Sequence, residues 1–395
     1  MASLGEEGPG KQAPSYHGGP VQLISIDESG QCTVDEYALN ILRQIEGKVA
    51  VIGIAGLYRT GKSFLMNRLL GLQDGFEIGP SVNPCTRGIW MWGQPVQLGQ
   101  NFHAILIDTE GLGSCVRTTS CDMQIFSLCL LLCSFFVYNS MGAINEESLD
   151  QLNLVLHLTK HIHVRSSSKS NPDLSKDSAD LAAHFPPLLW VLRDFNLKLV
   201  NETGQPISPK EYLEHALRPV AGRSEGIEQK NKIRDCIKAM FRDRSCSVMV
   251  RPVENEADLR NIQKLPYQAL RPQFQQQVDA FVQKVYSSLK PKMIGGTTLN
   301  GSMLATLAQE YVNAINSSAV PTIQSAWTNV VTHQLRISLR DAVHVYRATM
   351  NEDVMQKLPM PEKEVRAKHK QAKAAALQVF NGPKFDQGCL TDGDD

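Results

Sequence analysis

The sequence predicts an α/β fold in which a P-loop domain with a mainly parallel sheet is followed by an all-α helical domain. Three observations carry this expectation. From residue 21 to about residue 291, short β-rich runs alternate with helical patterns, as in a parallel sheet covered by helices. One strand-to-helix junction reads Gly56-Leu57-Tyr58-Arg59-Thr60-Gly61-Lys62-Ser63, which fits the phosphate-loop pattern Gly-x-x-x-x-Gly-Lys-Ser/Thr. After Gly295-Gly296 the strands stop, and Leu304, Leu307, Tyr311, Ala314 and Ile315 recur at helical spacing.

In order, the predicted strands span residues 21–26, 49–55, 88–92, 104–108, 135–139, 188–193 and 247–251, where β-branched and aromatic residues concentrate. The predicted helices span residues 34–45, 63–70, 122–133, 146–159, 209–216 and 225–241. One strand and one helix precede the phosphate loop, so the domain exceeds a minimal nucleotide-binding unit. Residues 166–180 and 252–264 are too hydrophilic to pack inside and read as surface insertions. In the helical part, Asn300 can cap a first helix, Pro321 starts a second reaching residue 350, and Pro361 starts a third reaching about residue 380. The expected organisation is an N-terminal arm (1–20), the P-loop domain (21–293), the helical domain (297–380) and a frayed tail (381–395).

Composition narrows the function classes. The chain has 395 residues, 42% of them hydrophobic, enough for a large core plus a second unit, since single cores stop growing near about 250–300 residues. Lys plus Arg and Asp plus Glu are equal at 40 each, so no overall field draws the protein to nucleic acid or an acidic membrane. An anionic ligand must be held by a local site. The nine cysteines show no C-x-x-C pair and no metal-ligand spacing with histidine, which predicts a reducing, cytoplasmic setting. The first twenty residues are rich in Gly, Pro and charge and form no signal peptide. The most apolar run, residues 125–138, is broken by Ser127 and Ser134 and is shorter than the about 20 residues a membrane helix needs. It belongs in the core.

The phosphate loop carries the chemistry. Its glycines let backbone N–H groups wrap phosphates, the following helix adds partial positive charge, Lys62 reaches the β- and γ-phosphates, and Ser63 ligates Mg²⁺. The predicted contacts of the loop are Gly56, Tyr58, Arg59, Thr60, Gly61, Lys62, Ser63 and Phe64. About 45 residues on, Asp108-Thr109-Glu110-Gly111 ends a strand. Asp108 stands where such folds deliver an acid to Mg²⁺, and Gly111 can turn an N–H toward the γ-phosphate. Thr86, between the first helix and the strand at residue 88, can complete the Mg²⁺ shell as a switch threonine, although by itself it also reads as an ordinary polar loop residue. No Asn-Lys-x-Asp guanine motif occurs. Arg193-Asp194, at the end of an apolar strand, is placed to reach a base, and a carboxylate there accepts both N1–H and N2–H of guanine. The residues alone leave an exposed ion pair as the alternative.

Taken together, residues 56–63, Thr86-Arg87-Gly88-Ile89-Trp90-Met91-Trp92, Asp108-Thr109-Glu110-Gly111-Leu112-Gly113, Phe136-Val137-Tyr138-Asn139-Ser140, Leu192-Arg193-Asp194-Phe195 and Tyr311-Val312-Asn313-Ala314-Ile315-Asn316 resemble the guanylate-binding protein family. These are dynamin-like, often interferon-inducible large GTPases. The resemblance implies a GTPase domain followed by a helical domain, with GTP as substrate, Mg²⁺ as cofactor and a role in innate immunity. It further implies homodimerisation through the GTPase domains and hetero-oligomers with relatives. Arg59 would then be a finger supplied in cis once the dimer forms, Thr86 would hold Mg²⁺ and the attacking water, and Asp108 would serve the metal region. Glu110 would belong to the water network, and Arg193 with Asp194 would read guanine. Three departures qualify this. Pro84 and Cys85 stand where well-known members have the Ser and His that assist water activation and, in some, cleavage of GDP to GMP, so a slow GTP-gated scaffold is the alternative. Ser114 stands where an acid is usual. Cys389 is followed by Leu390-Thr391-Asp392-Gly393-Asp394-Asp395, which is no prenylation box, so no direct membrane anchor is expected.

Overall fold

Strands and helices alternate as the apolar periodicity requires. The computed structural model describes residues 16, 18–78, 88–112, 119–152, 184–222, 224–317 and 322–381. Its sheet strands are β1 (Pro20–Ile26), β2 (Cys32–Val34), β3 (Lys48–Gly56), β4 (Ile89–Trp92), β5 (Val96–Gly99), β6 (Phe102–Thr109), β7 (Phe135–Met141), β8 (Leu188–Arg193) and β9 (Arg244–Val248). Among them lie helices α1 (Glu36–Arg43), α2 (Lys62–Leu69), α3 (Thr119–Leu132), α4 (Glu146–Gln151), α5 (Pro209–Ala216), α6 (Glu225–Met240), α7 (Glu256–Arg260) and α8 (Pro272–Ser288). A small hairpin, β10 (Met293–Ile294) and β11 (Thr297–Thr298), leads into α9 (Gly301–Asn316), α10 (Ile323–Asp353) and α11 (Glu362–Phe380).

The strand order is β2-β1-β4-β6-β3-β7-β8-β9, with β5 also paired to β6. From β6 to β9 every pairing along this order is parallel. The other half, β2, β1, β4 and β5, is antiparallel. The sheet is therefore mixed, and its parallel half carries the site.

Side-chain alternation sends the two faces of each parallel strand into separate cores. On β3, Val49, Val51 and Ala55 join one cluster with Leu39, Ile125, Phe126, Ile237 and Leu304. Ala50, Ile52 and Ile54 join the other, with Phe64 and Leu65 of α2 and Phe274, Val278 and Phe281 of α8. Gly53 interrupts the apolar series because a Cβ there would lie 2.0 Å from the Cys133 Sγ. Helix α3 packs that close to the sheet, and its residues 125–132, apart from a slight exposure at Ser127, are fully or almost fully covered, so the apolar run is core.

Several expected boundaries move for local reasons. Strand β2 takes residues 32–34 because Val34 pairs with Ile24, and Asp35 then caps α1 by accepting from the Ala38 N–H. The strand predicted at 247–251 is β9, three residues earlier, because its register is set by Leu188 opposite Arg244. Helix α8 was not expected. Its glutamines mask Phe274, Val278, Phe281 and Val285, which recur at helical spacing and are buried. The predicted insertion at 252–264 contains the short α7, with none of its residues buried. The one at 166–180 lies outside the described residues, as does the second half of the helix predicted over 146–159.

Asn300 caps α9 by accepting from Met303 N–H at 2.9 Å. Helix α9 packs on the P-loop domain: Tyr311, Leu304 and Leu307 sit in the same cluster as Leu39 and Leu42 of α1. The Asn316 amide bridges the edge strand β2, accepting from Cys32 N–H at 2.8 Å and donating to Cys32 O at 2.7 Å. Helices α10 and α11 fold back on one another, joined by Tyr346 Oη to His369 Nδ1 at 2.8 Å. Among the described residues no helix is long and apolar enough to cross a membrane.

Candidate functional site

The parallel strands β6, β3, β7 and β8 end along one rim of the sheet, and Asp108, Gly56, Asn139 and Arg193 stand at or near those ends, with Gly56 opposite Asn139, Asp108 opposite Ile54 and Arg193 opposite Met141. Ligands of such sheets bind at the C-terminal edge of the strands. The loop from residue 57 to residue 61 leaves β3 at this rim and enters α2.

Two backbone conformations shape the loop. Gly56 has φ 149° and Gly61 has φ 79°, values that side-chain-bearing residues rarely adopt. Close packing forbids a side chain at Gly56 independently, since its Cβ would lie 2.0 Å from Asn139 O. Gly61 is also the N-cap of α2 and offers no side-chain cap, so the first N–H groups of that helix remain available for an anion. Arg59, exposed at the tip, has φ 62°, a left-handed conformation uncommon for a non-glycine residue.

The polar groups converge beneath the loop. Ser63 Oγ donates to Asp108 Oδ2 at 2.6 Å. Lys62, 6% exposed, donates from Nζ to Leu57 O at 3.1 Å, and Thr60 Oγ1 donates to the same carbonyl at 2.8 Å. Burial pulls the Lys62 ammonium below its ordinary pKa, while Asp108 and Glu110 push it back up. A buried lysine in the first turn of a helix that has no side-chain cap suits a phosphate oxygen, whose charge it can balance.

The segment after β6 is stitched to the loop. Tyr58 N–H donates to Leu112 O at 3.1 Å and Leu112 N–H to Gly56 O at 3.0 Å. Gly111 is where a Cβ would strike Tyr58 Cα at 2.1 Å. Glu110, 2% exposed, accepts the Gly88 N–H on Oε2 at 2.9 Å, so its carboxylate anchors the start of β4.

The remaining expected residues fall in different places. Arg193 is buried, donates from Nη1 to Gly61 O at 3.2 Å and lies against the rings of Phe64 and Phe274. Burial draws its guanidinium down to about 10, opposed by Asp194. Its fork thus holds the loop from behind. Asp194, with φ 54°, instead lines an open cavity of about 700 Å³ with Phe195, Leu197, Val250, Arg251 and Gln277. Phe64 is 5% exposed and its ring packs on Phe274 at 6.0 Å, leaving its backbone alone to face a ligand. Tyr58 is exposed at the loop tip. Thr86, together with Pro84, Cys85 and Ser114, lies outside the described residues.

Asn139 is the residue that motif reading did not single out for chemistry. It is fully buried, donates from Nδ2 to Thr60 O at 2.9 Å and has its Oδ1 without a hydrogen-bond partner among the described residues. The available signal was a polar residue closing the apolar run Phe135–Tyr138 at the rim.

Ser63 and Asp108 fit Mg²⁺ as a pair of adjacent hard oxygen donors, since this ion takes few protein ligands and completes its shell with water and phosphate. The glycine-lined, lysine-floored loop fits the phosphates. What the arrangement can do chemically is grip a chain of phosphates next to a divalent cation.

Comparison with known proteins places this rim in a lineage. Residues 29–293 match the model of the guanylate-binding protein N-terminal domain, and residues 295–388 that of the guanylate-binding protein C-terminal domain. Guanylate-binding protein 6 of Homo sapiens is 38% identical over 369 residues, covering 93% of this chain and 57% of that protein. Guanylate-binding protein 3 of Mus musculus is 39% identical over 371 residues, covering 93% of this chain and 58% of that protein. The chain thus spans a little over half the length of these relatives. Among solved structures, Toc33 from Arabidopsis thaliana in complex with GDP and Mg²⁺ is 14% identical with a TM-score of 0.33, covering 65% of this chain and 91% of that one, a likeness too slight to add to the assignment. The two family models run consecutively through the sheet that carries this rim and the helices behind it, and the chain therefore belongs to the guanylate-binding protein family.

Proposed function

We propose that this chain binds GTP with Mg²⁺ at the rim of β3, β6, β7 and β8 and hydrolyses it to GDP, faster as a nucleotide-dependent dimer. The observation that carries the reading is the contact of Ser63 Oγ with Asp108 Oδ2 at 2.6 Å beside the buried Lys62. It supports a shared grip on phosphate and cation. Membership of the family supports the choice of guanine and the dimer.

The residue roles follow from their chemistry. Lys62 exchanges its bond to Leu57 O for a phosphate oxygen, and the loop N–H groups fix the phosphates' position. Ser63 and Asp108 would hold Mg²⁺, which would supply positive charge beside the phosphates. Asp194 accepts N1–H and N2–H of guanine, a pairing adenine does not offer. Arg59, exposed at the loop tip, is free to swing onto the γ-phosphate once a second subunit closes over it. Thr86 orients the attacking water, and Glu110 keeps the segment that follows Thr86 anchored.

Phosphate release measured with GTP and with ATP, with and without Mg²⁺, tests this reading. Mg²⁺-dependent release from GTP with ATP inert is expected, and preferential ATP turnover overturns it. A second reading is favoured by Pro84 and Cys85, neither of which relays a proton well: a GTP-gated scaffold that dimerises without appreciable turnover. Tight GTP binding with no phosphate released under single-turnover conditions selects the scaffold.

A further inference from the structure

We propose that Asn139 is a positioning residue of the phosphate loop, acting with Arg193 to turn two successive peptide units so that their N–H groups face the phosphates. This rests on the reading of the loop as a phosphate site.

In a planar trans peptide the C=O and the following N–H point in opposite directions. The carbonyls of Thr60 and Gly61 are both drawn toward the strands behind the loop. Asn139 Nδ2, from β7, holds Thr60 O at 2.9 Å. Arg193 Nη1, from β8, holds Gly61 O at 3.2 Å, a carbonyl that also accepts the Leu65 N–H at 3.2 Å inside α2. The N–H groups of Gly61 and Lys62 therefore point away from the strands, into the hollow of the loop. Those are the donors that a β-phosphate needs at the start of such a helix.

The position of Asn139 leaves it little other freedom. It is fully buried, its backbone pairs with Gly56, and a Cβ on Gly56 would lie 2.0 Å from Asn139 O. Its Oδ1 has no hydrogen-bond partner among the described residues, while its Nδ2 does. Rotating the amide by half a turn would set Oδ1 against Thr60 O, two acceptors face to face. The amide is thus oriented by the loop carbonyl, and the loop carbonyl by the amide. Arg193 and Asn139 differ in kind: the guanidinium carries charge and also lies against the rings of Phe64 and Phe274, whereas the Asn139 amide is neutral and acts on the loop through its bond to Thr60 O. Asn139 therefore gives the cleaner test.

The test is titration of the full chain, as wild type, Asn139→Leu and Asn139→Ser, with fluorescent GDP and, by competition, with GMP. Leu keeps the volume without the donor, and Ser keeps polarity without the reach. Because the Gly61 and Lys62 N–H groups serve the β-phosphate, GDP affinity is expected to fall by about tenfold or more in both variants while GMP affinity changes by less than about threefold. If Asn139→Leu does not fold, as judged by circular dichroism, the Asn139→Ser titration carries the same expectation. Unchanged GDP affinity, or equal losses for GDP and GMP, overturns the inference. Failure of the wild type to bind GDP or GTP overturns the phosphate-site reading instead, so the two failures are distinct.

Discussion

At the scale of single residues, groups close together at the rim differ in burial and in partner. Lys62 is buried, pulled below its ordinary pKa by desolvation, and its Nζ donates to the Leu57 carbonyl, a bond it is proposed to exchange for one to phosphate. Lys62→Ala is therefore expected to abolish GTP binding in a calorimetric titration. Arg59 is exposed at the loop tip, so Arg59→Ala is expected to keep GTP affinity and slow hydrolysis by about 10³. Equal loss of affinity in both variants would remove the finger assignment. Asp194→Asn is expected to weaken GTP by about 100-fold and xanthosine triphosphate far less, because an amide donates to the C2 carbonyl of xanthine. Unchanged GTP affinity would mean that another group reads the base. That Gly56, Lys62, Ser63 and Asp108 come together at one rim was legible in the sequence because the first three follow a fixed loop spacing between a strand and a helix and Asp108 lies near the end of an apolar strand. The place of Arg193 was not: its pairing with Gly61 O depends on β8 lying two strands from β3, which no local pattern encodes. Asn139 was invisible for the same reason, as one polar residue at a strand end.

At the scale of elements, β3, β6, β7 and β8 were legible because they are mainly apolar runs covered on both faces. The edge strands β2 and β5 were not, being only three and four residues long, too short to show an alternating pattern although each pairs with a strand next to it in sequence. Helix α8 was obscured by Gln273, Gln275, Gln276 and Gln277, although its buried stripe repeats at helical spacing. Element contacts also make Gly111 a test of the loop from outside. A Cβ there meets Tyr58 Cα at 2.1 Å, so Gly111→Ala is expected to push the phosphate loop out of place and weaken GDP binding. Normal GDP affinity in that variant would show that the two segments move independently. Lys292 offers a second test, at the junction between sheet and hairpin. It donates to Cys133 O, just past the end of α3, at 2.6 Å, and burial lowers its pKa to about 8. A lysine depressed in the folded state penalises folding while charged, fully below its folded pKa, with relief as pH rises toward the unfolded value near about 10.4. Wild-type stability relative to Lys292→Met is therefore expected to rise from pH 7.5 to pH 9.5, by up to about 1.4 kcal/mol per pH unit. A pH-independent difference in paired denaturant titrations would contradict it.

At the scale of the whole molecule, the change in composition after Gly295-Gly296 marked the start of the helices, but the packing does not divide there. Leu304, Leu307, Tyr311 and Trp327 share one cluster with Leu39, Leu42 and Ile125, and Gly295 lies so close to Trp327 that a Cβ would stand 2.8 Å from its Nε1. Periodicity along one segment reveals that a face is apolar, not which surface it meets. The structure gives that face to the P-loop domain. Tyr311, 1% exposed, is thus expected to report on the whole unit: Tyr311→Ala should destabilise by about 3 kcal/mol or more and lower a single thermal transition, whereas two transitions with only one displaced would mean separate cores. The same continuity packs α3 against α9, and α9 against α10 of the helical hairpin. The most direct test of the central claim is an assay of the products formed from GTP with Mg²⁺ as protein concentration is raised. GDP and phosphate are expected, with a rate per molecule that increases with concentration, whereas GTP left intact at every concentration, or turnover of ATP in its place, would contradict the GTPase reading.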